Sequence, residues 1–347
     1  MQTRFIGTHD VGSIGLGCMN LSHAYGTPPA REDAAKLLLH TLDHGVRHFD
    51  TAAIYGATAN ETLIGEVLGP RRDKYFLASK CGMASINGRR VIDGRPETLK
   101  GTCEDALRRL RTDHIDLYYL HRWDQAVPIE ESVGALAELV AEGKIGGIGL
   151  SEVSAATLRR AHAVHPIAAL QAEYSLWSRN PELGTLDACR ELGTAFVAFS
   201  PLARGFLTGT LRDVASLPAS DIRHSMPRFS AENYPKNLAL LDGFAALARE
   251  AGCTMAQLAI AWVLSRGEHV VALPGTTGTG HLDEDLGADT VRLEADLLRR
   301  LDRLINEQTV HGARYSAAQQ ADVDTEVFHS AAAPVRRGSQ PAGGPLP

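Results

Sequence analysis

The sequence of 347 residues contains only 5 cysteines, and no two of them form a CxxC pair. They are few, odd in number and widely spaced: Cys18, Cys81, Cys103, Cys189 and Cys253. This pattern argues against a disulfide framework and against a structural zinc site built from thiolates. Unpaired thiols are typical of a reducing compartment, so the sequence predicts a cytoplasmic protein.

The sequence also lacks the marks of membrane and nucleic-acid proteins. No apolar stretch is long enough to span a bilayer, and the first residues, MQTRFIGTHD, lack the apolar core of a signal peptide. The formal net charge of -6 gives no basis for binding nucleic acid or an anionic membrane. We therefore expect neither partner, and no pattern in the sequence indicates an oligomeric state.

Short β-rich runs alternate with amphipathic helical runs along most of the chain. The β-rich runs begin at Val11, His48, Tyr75, Ile115, Gly146, Ala169, Ala195 and His269. The clearest helical runs are 31–45, 96–111, 131–143 and 237–252. Parallel strands need such crossovers, and strands that are apolar on both faces are buried. An open doubly wound sheet and a closed barrel both fit, but about eight units favour an α/β fold of the (β/α)8 TIM barrel type.

Two stretches fall outside this repeat. Residues 206–236 lack periodicity and contain Pro218, Pro227 and Pro235, and a connection of this length is often a lid. Residues 331–347 are rich in Pro, Gly and Ala, and we expect a disordered tail there. Residues 1–330 are expected to form one barrel domain with an N-terminal hairpin and a C-terminal extension.

Polar residues at the ends of predicted strands should converge on one face of the barrel. Asp50 ends the second strand with Tyr55 in the loop after it, Lys80 ends the third and His121 the fourth. A tyrosine with an ordinary pKa of about 10 is a poor acid–base catalyst at neutral pH, and a nearby lysine cation lowers that pKa. An aspartate can offset the charge of the lysine, and a histidine can orient a substrate oxygen. Together the four residues suit proton transfer to a carbonyl oxygen or from an alcohol.

Each of the four residues also has an ordinary structural interpretation. Asp50 could cap a turn, Tyr55 could be a surface aromatic and His121 a hydrogen-bonded core histidine. Lys80 is harder to explain in this way, because an unpaired buried lysine is rare. The combination, rather than any single residue, therefore points to a catalytic site.

Six segments resemble signatures of the aldo-keto reductase superfamily. They are FDTAAIYG (49–56), SK (79–80), YYLHR (118–122), GKIGGIGLSE (143–152), FSPLARGFLTG (199–209) and LPGTT (273–277). The resemblance runs from about residue 14 to 304 and is strongest to the bacterial branch that reduces aldehydes and ketones. It implies a barrel enzyme that uses NADPH, with NADH possible, to reduce a small-molecule carbonyl compound.

The resemblance also implies roles for individual residues. The family's catalytic tetrad falls on Asp50, Tyr55, Lys80 and His121, with Tyr55 as the proton donor and no metal in the reaction. The implied cofactor contacts are Gly17, Cys18, Met19, Asp50, Ser151, Glu152, Gln171, Phe199, Ser200, Pro201, Leu202, Arg204, Gly205, Leu207, Gly275, Thr276, Thr277, His281 and Asp285. Residues 200–207 would form a strap over the pyrophosphate, although an ordinary turn-rich connection is the alternative. Tyr25, Met83, Trp123 and Trp177 are predicted to line the substrate mouth, or else to pack at its rim.

Two other functions remain open on the sequence alone. Some proteins of this superfamily are cofactor-binding regulatory subunits with slow turnover. Such subunits are expected to carry a partner-binding surface or an N-terminal extension, whereas this chain begins almost directly with its first hairpin, which favours an enzyme. A metal-dependent hydrolase or isomerase on the same barrel would need clustered His and carboxylate ligands. Only Asp50, His121 and Glu152 are candidates, and Lys80 would repel a cation.

The run 276–285 predicts relaxed discrimination between the two cofactors, or weak binding of both. Many relatives carry basic residues there, whereas this run has no Lys or Arg for the 2′-phosphate of NADPH, only Thr276 and His281. We expect the dissociation constants for NADPH and NADH, measured by fluorescence titration, to differ by less than about 100-fold, or roughly 2.7 kcal/mol. A larger preference for NADPH would contradict this interpretation.

Overall fold

The computed structural model describes residues 1–328, in which a ring of parallel strands is surrounded by helices. The predicted tail, 331–347, lies outside the described residues. Among the helices that are described, none combines the length and the apolar character needed to cross a membrane.

The strands and helices within residues 1–328 alternate as the sequence predicts. The strands are β1 (Phe5–Ile6), β2 (His9–Asp10), β3 (Leu16–Gly17), β4 (His48–Asp50), β5 (Phe76–Cys81), β6 (Met83–Ile86), β7 (Arg89–Ile92), β8 (Leu117–Leu120), β9 (Ile148–Ser151), β10 (Ile167–Glu173), β11 (Ala195–Phe199) and β12 (Val270–Leu273). The helices are α1 (Arg31–Asp43), α2 (Ala59–Leu68), α3 (Pro96–Leu110), α4 (Ile129–Ala141), α5 (Ala155–Val164), α6 (Thr185–Leu192), α7 (Tyr234–Leu238), α8 (Leu240–Glu250), α9 (Met255–Leu264), α10 (Thr279–Gly287), α11 (Ala295–Leu304) and α12 (Ala317–Gln320).

Eight parallel strands form one sheet in the order β12-β11-β10-β9-β8-β5-β4-β3. The two outer strands meet through a parallel bridge between Ile14 and Ala272. The amide of Gly15 donates to the carbonyl of Ala272 at 2.9 Å, and the amide of Ala272 donates to that of Ser13 at 2.9 Å. These bonds complete the ring, so the predicted (β/α)8 barrel is confirmed.

The barrel interior holds its own apolar cluster. Inward-facing side chains at the beginnings of strands, such as Phe76 and Leu117, pack with Ile6 and Val11 from the N-terminal hairpin β1–β2. The hairpin therefore closes the N-terminal end of the barrel. A larger apolar layer lies between the strands and the helices. The opposite end, where the predicted polar residues lie, stays accessible for a site.

A second hairpin, β6–β7, follows β5 and was not predicted. Its strands carry mostly exposed side chains, so no apolar alternation marks it. The turn does carry a signal, because Asn87 and Gly88 have φ of 51° and 74° and an Asn-Gly pair favours this type of hairpin turn.

The predicted lid, residues 206–236, consists of short 3₁₀ turns that lead into α7. Its apolar residues Phe206, Phe229 and Tyr234 are buried. Trp177 stacks on Phe206 with ring centroids 4.1 Å apart and an interplanar angle of 12°. This aromatic cluster anchors the segment to the barrel.

Two helical glycines provide a test of how tightly the helices pack. A Cβ on Gly65 of α2 would lie 2.3 Å from the carbonyl oxygen of Arg109 on α3, whereas a Cβ on Gly101 meets nothing within 4 Å. We expect Gly65→Ala to lower the free energy of unfolding by about 1–3 kcal/mol, since backbone atoms must move apart. Gly101→Ala should raise it by up to about 1 kcal/mol through helix propensity. Chemical denaturation of both variants checks this pair, and effects of the same sign would contradict it.

Candidate active site

Lys80 lies at the end of β5 with its side chain fully enclosed and its ammonium group surrounded by oxygen atoms. It forms an ion pair with Oδ1 of Asp50 on β4, and it donates to the carbonyl of Thr51 at 2.8 Å. Its third contact is the hydroxyl of Tyr55 at 3.3 Å. The other carboxylate oxygen of Asp50 accepts from Nε2 of Gln171 at 2.8 Å. The structure thus brings the predicted Asp50, Tyr55 and Lys80 into one hydrogen-bonded group.

The protonation of this group follows from burial and from the ion pair. Burial raises the pKa of Tyr55 above its ordinary value, and the charge of Lys80 only partly opposes this. Burial lowers the pKa of Lys80, but Asp50 and Tyr55 raise it by more, so it lies above its usual range. The sequence predicted a Tyr55 pKa lowered by Lys80. Lys80 does lower the pKa of Tyr55, as the sequence predicts, but burial raises that pKa by more, so at neutral pH both groups hold their protons.

His121 lies at the end of β8 and presents its ring edge to Tyr55, with centroids 5.8 Å apart and an angle of 82°. Burial, followed by the charges of Arg122 and Lys80, lowers its pKa well below the ordinary histidine value. The imidazole is therefore neutral at physiological pH and has one N–H donor and one acceptor nitrogen. Arg122 donates to the His121 carbonyl at 2.6 Å and to Oγ of Ser151 at 3.1 Å, which links β8 to β9.

A cavity of about 510 Å³ lies over the carboxyl ends of the strands, beside Tyr55 and His121. This volume is within the usual range for a small-molecule or cofactor site. The predicted residues that line it are Gly17, Met19, Tyr25, Asp50, Tyr55, Met83, His121, Ser151, Gln171, Phe199, Ser200, Pro201, Leu202, Arg204, Gly205, Gly275, Thr276, His281 and Asp285. Most of the predicted residues, although far apart in the sequence, therefore meet at one cavity.

Several other predicted residues do not line this cavity. Cys18 and Leu207 are fully buried in the core between strands and helices, and Thr277 points to solvent. Trp177, predicted at the substrate mouth, is instead part of the aromatic cluster under residues 206–236. Trp123 donates its indole N–H to the carbonyl of Val127 at 2.9 Å and packs beside its own loop. Neither tryptophan lines the cavity, because Trp177 packs against residues of the segment 206–236 and Trp123 against its own loop.

Glu152, a predicted cofactor contact, is buried in an ion pair instead. Its carboxylate accepts from Nη2 of Arg314 at 2.6 Å and from the amide of Glu173 at 2.8 Å. Its left-handed backbone, with φ of 56°, turns the chain at the end of β9. A metal-dependent reaction would have to use Asp50, His121 and Glu152 as its ligands. The carboxylate of Glu152 is paired with Arg314 and that of Asp50 with Lys80, so two of these three candidate ligands are already engaged in ion pairs.

Arg204 lines the cavity from the strap, yet its guanidinium is also ion-paired. Nη2 donates to Oε2 of Glu173 at 2.8 Å, and Nη1 donates to the hydroxyl of Tyr25 at 2.7 Å. Burial raises the pKa of Glu173, but Arg204 and then Arg314 lower it by more, so this carboxylate is charged. The strap is therefore fastened to the end of β10.

The C-terminal segment, residues 311–328, contributes a wall of the cavity that the sequence did not predict. Asp324 accepts from the amide and the hydroxyl of Ser154 at the start of α5, and Glu326 accepts from the amide of Ala155. These carboxylates satisfy the amides at the N-terminus of that helix. The segment then places Tyr315, Gln319, Asp322 and Val323 in the cavity wall.

Other cavity residues that the sequence did not predict come from several separate parts of the chain. They are Asn20, His23, Ala24, Ile54, Arg90, Arg122, Thr208, Thr210, Ile222, Arg223, Met226, Ala256, Leu273, Pro274 and Glu284. Arg223 matters most for cofactor binding. The run 276–285 contains no Lys or Arg, and Arg223, from the segment 206–236, adds a cation to the cavity wall. Asp221 holds its guanidinium through Oδ1 at 2.9 Å and Oδ2 at 2.7 Å. The proline-rich, aperiodic segment was a signal that 206–236 has a function, but no motif singled out Arg223.

Asp285 is an unusual acid in this cavity wall, because only 2% of it is exposed. Burial, followed by the charge of Glu284, raises its pKa to about 8. Within residues 1–328 neither oxygen of this carboxyl takes part in a hydrogen bond or an ion pair. Such a group is available to a ligand that enters from the side of α10.

Comparison with known proteins agrees with this fold. Residues 13–306 match the Aldo/keto reductase family. The chain belongs to the aldo/keto reductase family. A soybean (Glycine max) protein described as a probable aldo-keto reductase is 45% identical over 308 residues, which is 88% of this chain and 89% of the relative.

Solved structures of family members share the fold. A glycerol dehydrogenase from Gluconobacter oxydans has a TM-score of 0.82 and 27% identity, covering 90% of this chain and 98% of its own. The holo form of an aldo-keto reductase from Bacillus halodurans has a TM-score of 0.72 and 25% identity, covering 91% of this chain and 98% of its own. As a family member, the protein is an oxidoreductase that acts on carbonyl compounds with a nicotinamide cofactor.

The Glu152–Arg314 pair should hold the C-terminal segment against this aldo/keto reductase barrel. Removing one partner of a buried ion pair leaves a buried charge without compensation, which is strongly destabilising. We expect Arg314→Met to expose residues 311–328 to limited proteolysis at least about ten times faster than in the parent protein. Arg303→Met, at an exposed position on α11, is the control and should not change the rate. Equal cleavage of the two variants would show that the pair does not hold the segment.

Proposed function

We propose that this aldo/keto reductase reduces an aldehyde or a ketone to an alcohol with NADPH or NADH, and that Tyr55 donates the proton. The observation that carries the proposal is the phenol of Tyr55, which is buried, protonated and hydrogen-bonded to a charged lysine at the edge of the cavity. When bound, the cofactor supplies the hydride.

Tyr55 meets two requirements of a proton donor. It holds its proton at neutral pH, and the negative charge that develops as the proton leaves is next to the ammonium of Lys80, 3.3 Å away. A preorganised cation at the position where charge develops lowers the barrier to transfer. Asp50 keeps that cation in position and in its charged form, because its carboxylate raises the pKa of Lys80.

His121 is proposed to orient the carbonyl group. A neutral imidazole can donate a hydrogen bond to a carbonyl oxygen without competing with Tyr55 as an acid. The low pKa of His121, which results from burial and then from neighbouring cations such as Arg122 and Lys80, keeps it in that form. The edge-to-face contact with Tyr55 places both groups at the same end of the cavity.

The residues proposed to hold the cofactor line the remainder of the cavity. Ser151 and Gln171, at the ends of β9 and β10, would bind the carboxamide, and Phe199 would stack on the nicotinamide ring. The strap would approach the phosphates with its backbone. Its Gly205 has φ of 87°, a conformation that suits glycine, and the amide of Gly205 donates to the carbonyl of Leu202 at 3.1 Å. Arg223 adds a cation next to the strap, where it donates to the carbonyl of Arg204 at 3.1 Å.

The assignment of Tyr55 is tested by Tyr55→Phe. We expect kcat for a carbonyl panel to fall by about 10²–10⁴-fold, because the substitution removes the general acid and little else. Binding of NADPH, measured by fluorescence titration, should change less than about twofold. Retention of more than about a tenth of kcat would count against the assignment.

Tyr75→Phe is the matched control for this experiment. Tyr75 is also buried, and among residues 1–328 its hydroxyl has no hydrogen-bond partner. It lies outside the cavity wall, so this variant should keep the kcat of the parent protein. A similar loss in both variants would mean that stability, rather than proton transfer, explains the effect.

A further inference from the structure

Two histidines and one aspartate meet on the surface between α1 and α10, outside the lining of the cavity described above. His40 and His44 lie four residues apart at the end of α1, and Asp283 lies on α10. One possible ligand atom from each of the three residues can be chosen so that all lie within 4.8 Å of one another. From this geometry we propose that these residues, the α1–α10 cluster, bind a divalent transition-metal ion such as Zn²⁺.

The donor set suits such an ion. Imidazole nitrogen and carboxylate oxygen are the common ligands of zinc, and residues at i and i+4 project from the same face of a helix. The two rings stack with centroids 3.8 Å apart. Three protein ligands leave at least one coordination position for water, as in open zinc sites.

The hydrogen bond of His44 prepares its ring for metal binding. Nδ1 of His44 lies 2.8 Å from the carbonyl oxygen of His40, and this oxygen can only accept. In the neutral ring, Nδ1 therefore carries the hydrogen and Nε2 carries the free lone pair. Metal-bound histidines usually donate their second nitrogen to a carbonyl or carboxylate in this way.

His40 and Asp283 need only a small adjustment to share an ion. Nε2 of His40 lies 2.7 Å from Oδ1 of Asp283, and the ion would replace the hydrogen between them. Tetrahedral zinc, with bonds of about 2.0–2.1 Å, places two ligand atoms about 3.3 Å apart. The side chains are 25% and 50% exposed, so they can rotate by the few tenths of an ångström required.

The local field also favours a cation. His40 lies in the last turn of α1, where the helix carries partial negative charge on its free carbonyl groups. Asp283 adds a carboxylate from across the groove. The site therefore offers one full and one partial negative charge, with exposed side chains that a hydrated ion can reach.

A metal ion here would join the first and the last βα units of the barrel. α1 follows the first strand of the ring and α10 follows the last, so their contact closes the ring of helices. His40 and Asp283 are 243 residues apart in sequence, and a crosslink over so long a loop restricts the unfolded chain strongly. His281 and Asp285, two residues on either side of Asp283, line the cavity. The ion would thus fasten the helix that carries part of the cavity wall.

The proposal is tested by adding Co²⁺ or Zn²⁺ to the full chain after removal of any affinity tag. We expect Co²⁺ to give a saturable visible absorption band with one ion per chain. Zn²⁺ at about 100 times its dissociation constant should favour the folded state about 100-fold and raise Tm by about 3–8 °C. No band and no shift in Tm at about 1 mM metal would overturn the proposal.

Three variants and one control locate the site. His40→Ala, His44→Ala and Asp283→Asn should each weaken binding at least about tenfold, and each should bind NADPH like the parent protein, which shows that it is folded. His311→Ala, at an exposed histidine outside the cluster, should bind metal normally. Unchanged affinity in Asp283→Asn would overturn the proposed link between the helices, and unchanged affinity in both histidine variants would place the ion elsewhere.

Discussion

The ammonium group of Lys80 is a full positive charge enclosed at the end of a barrel strand, and the surrounding site is arranged to accommodate it. Desolvation alone would deprotonate such a group, since burial disfavours the charged form of an amine. Asp50 prevents this by direct ion pairing, Thr51 contributes a carbonyl, and Gln171 holds the second oxygen of Asp50. The same charge then faces Tyr55, so one interaction both stabilises the buried lysine and prepares the proposed proton donor.

Further buried ion pairs extend this principle around the cavity. Glu152–Arg314 fastens the C-terminal segment to β9, and Glu173–Arg204 fastens the strap to β10. A buried ion pair often contributes little net stability, because desolvation of both groups offsets their attraction. It does fix position, since either group without its partner would be costly. In this protein the pairs attach peripheral segments to the ends of the strands. These segments thereby form walls of defined geometry around an open cavity.

Much of the fold could be predicted from local patterns. The eight β-rich runs coincide with the eight strands of the barrel, because buried parallel strands must be apolar on both faces and their crossovers must be amphipathic. The positions of Asp50, Lys80 and His121 at strand ends follow from the same pattern, and a barrel necessarily brings those ends together. The net direction of the pKa shift of Tyr55 could not be predicted. It depends on whether burial of the phenol, which raises the pKa, outweighs the charge of Lys80, which lowers it. Whether Trp123 and Trp177 line the substrate mouth or only pack near it, which the sequence left open, could not be predicted for a related reason. An aromatic side chain near a strand end packs against whichever loop covers it, and the sequence does not specify that loop.

By itself the sequence determined the architecture, the family signatures and the four residues of the proposed catalytic group, because each depends on contacts or spacings within one βα unit and on the symmetry of the barrel. Tertiary structure alone decided that Arg223, Arg90 and Tyr315 share a cavity, that Arg314 occupies the carboxylate of Glu152, and that Asp283 lies beside His40. These pairings join segments separated by tens to hundreds of residues, and no local periodicity records them. They depend on how the loops, the last helices and the C-terminal segment pack over the ends of the barrel strands.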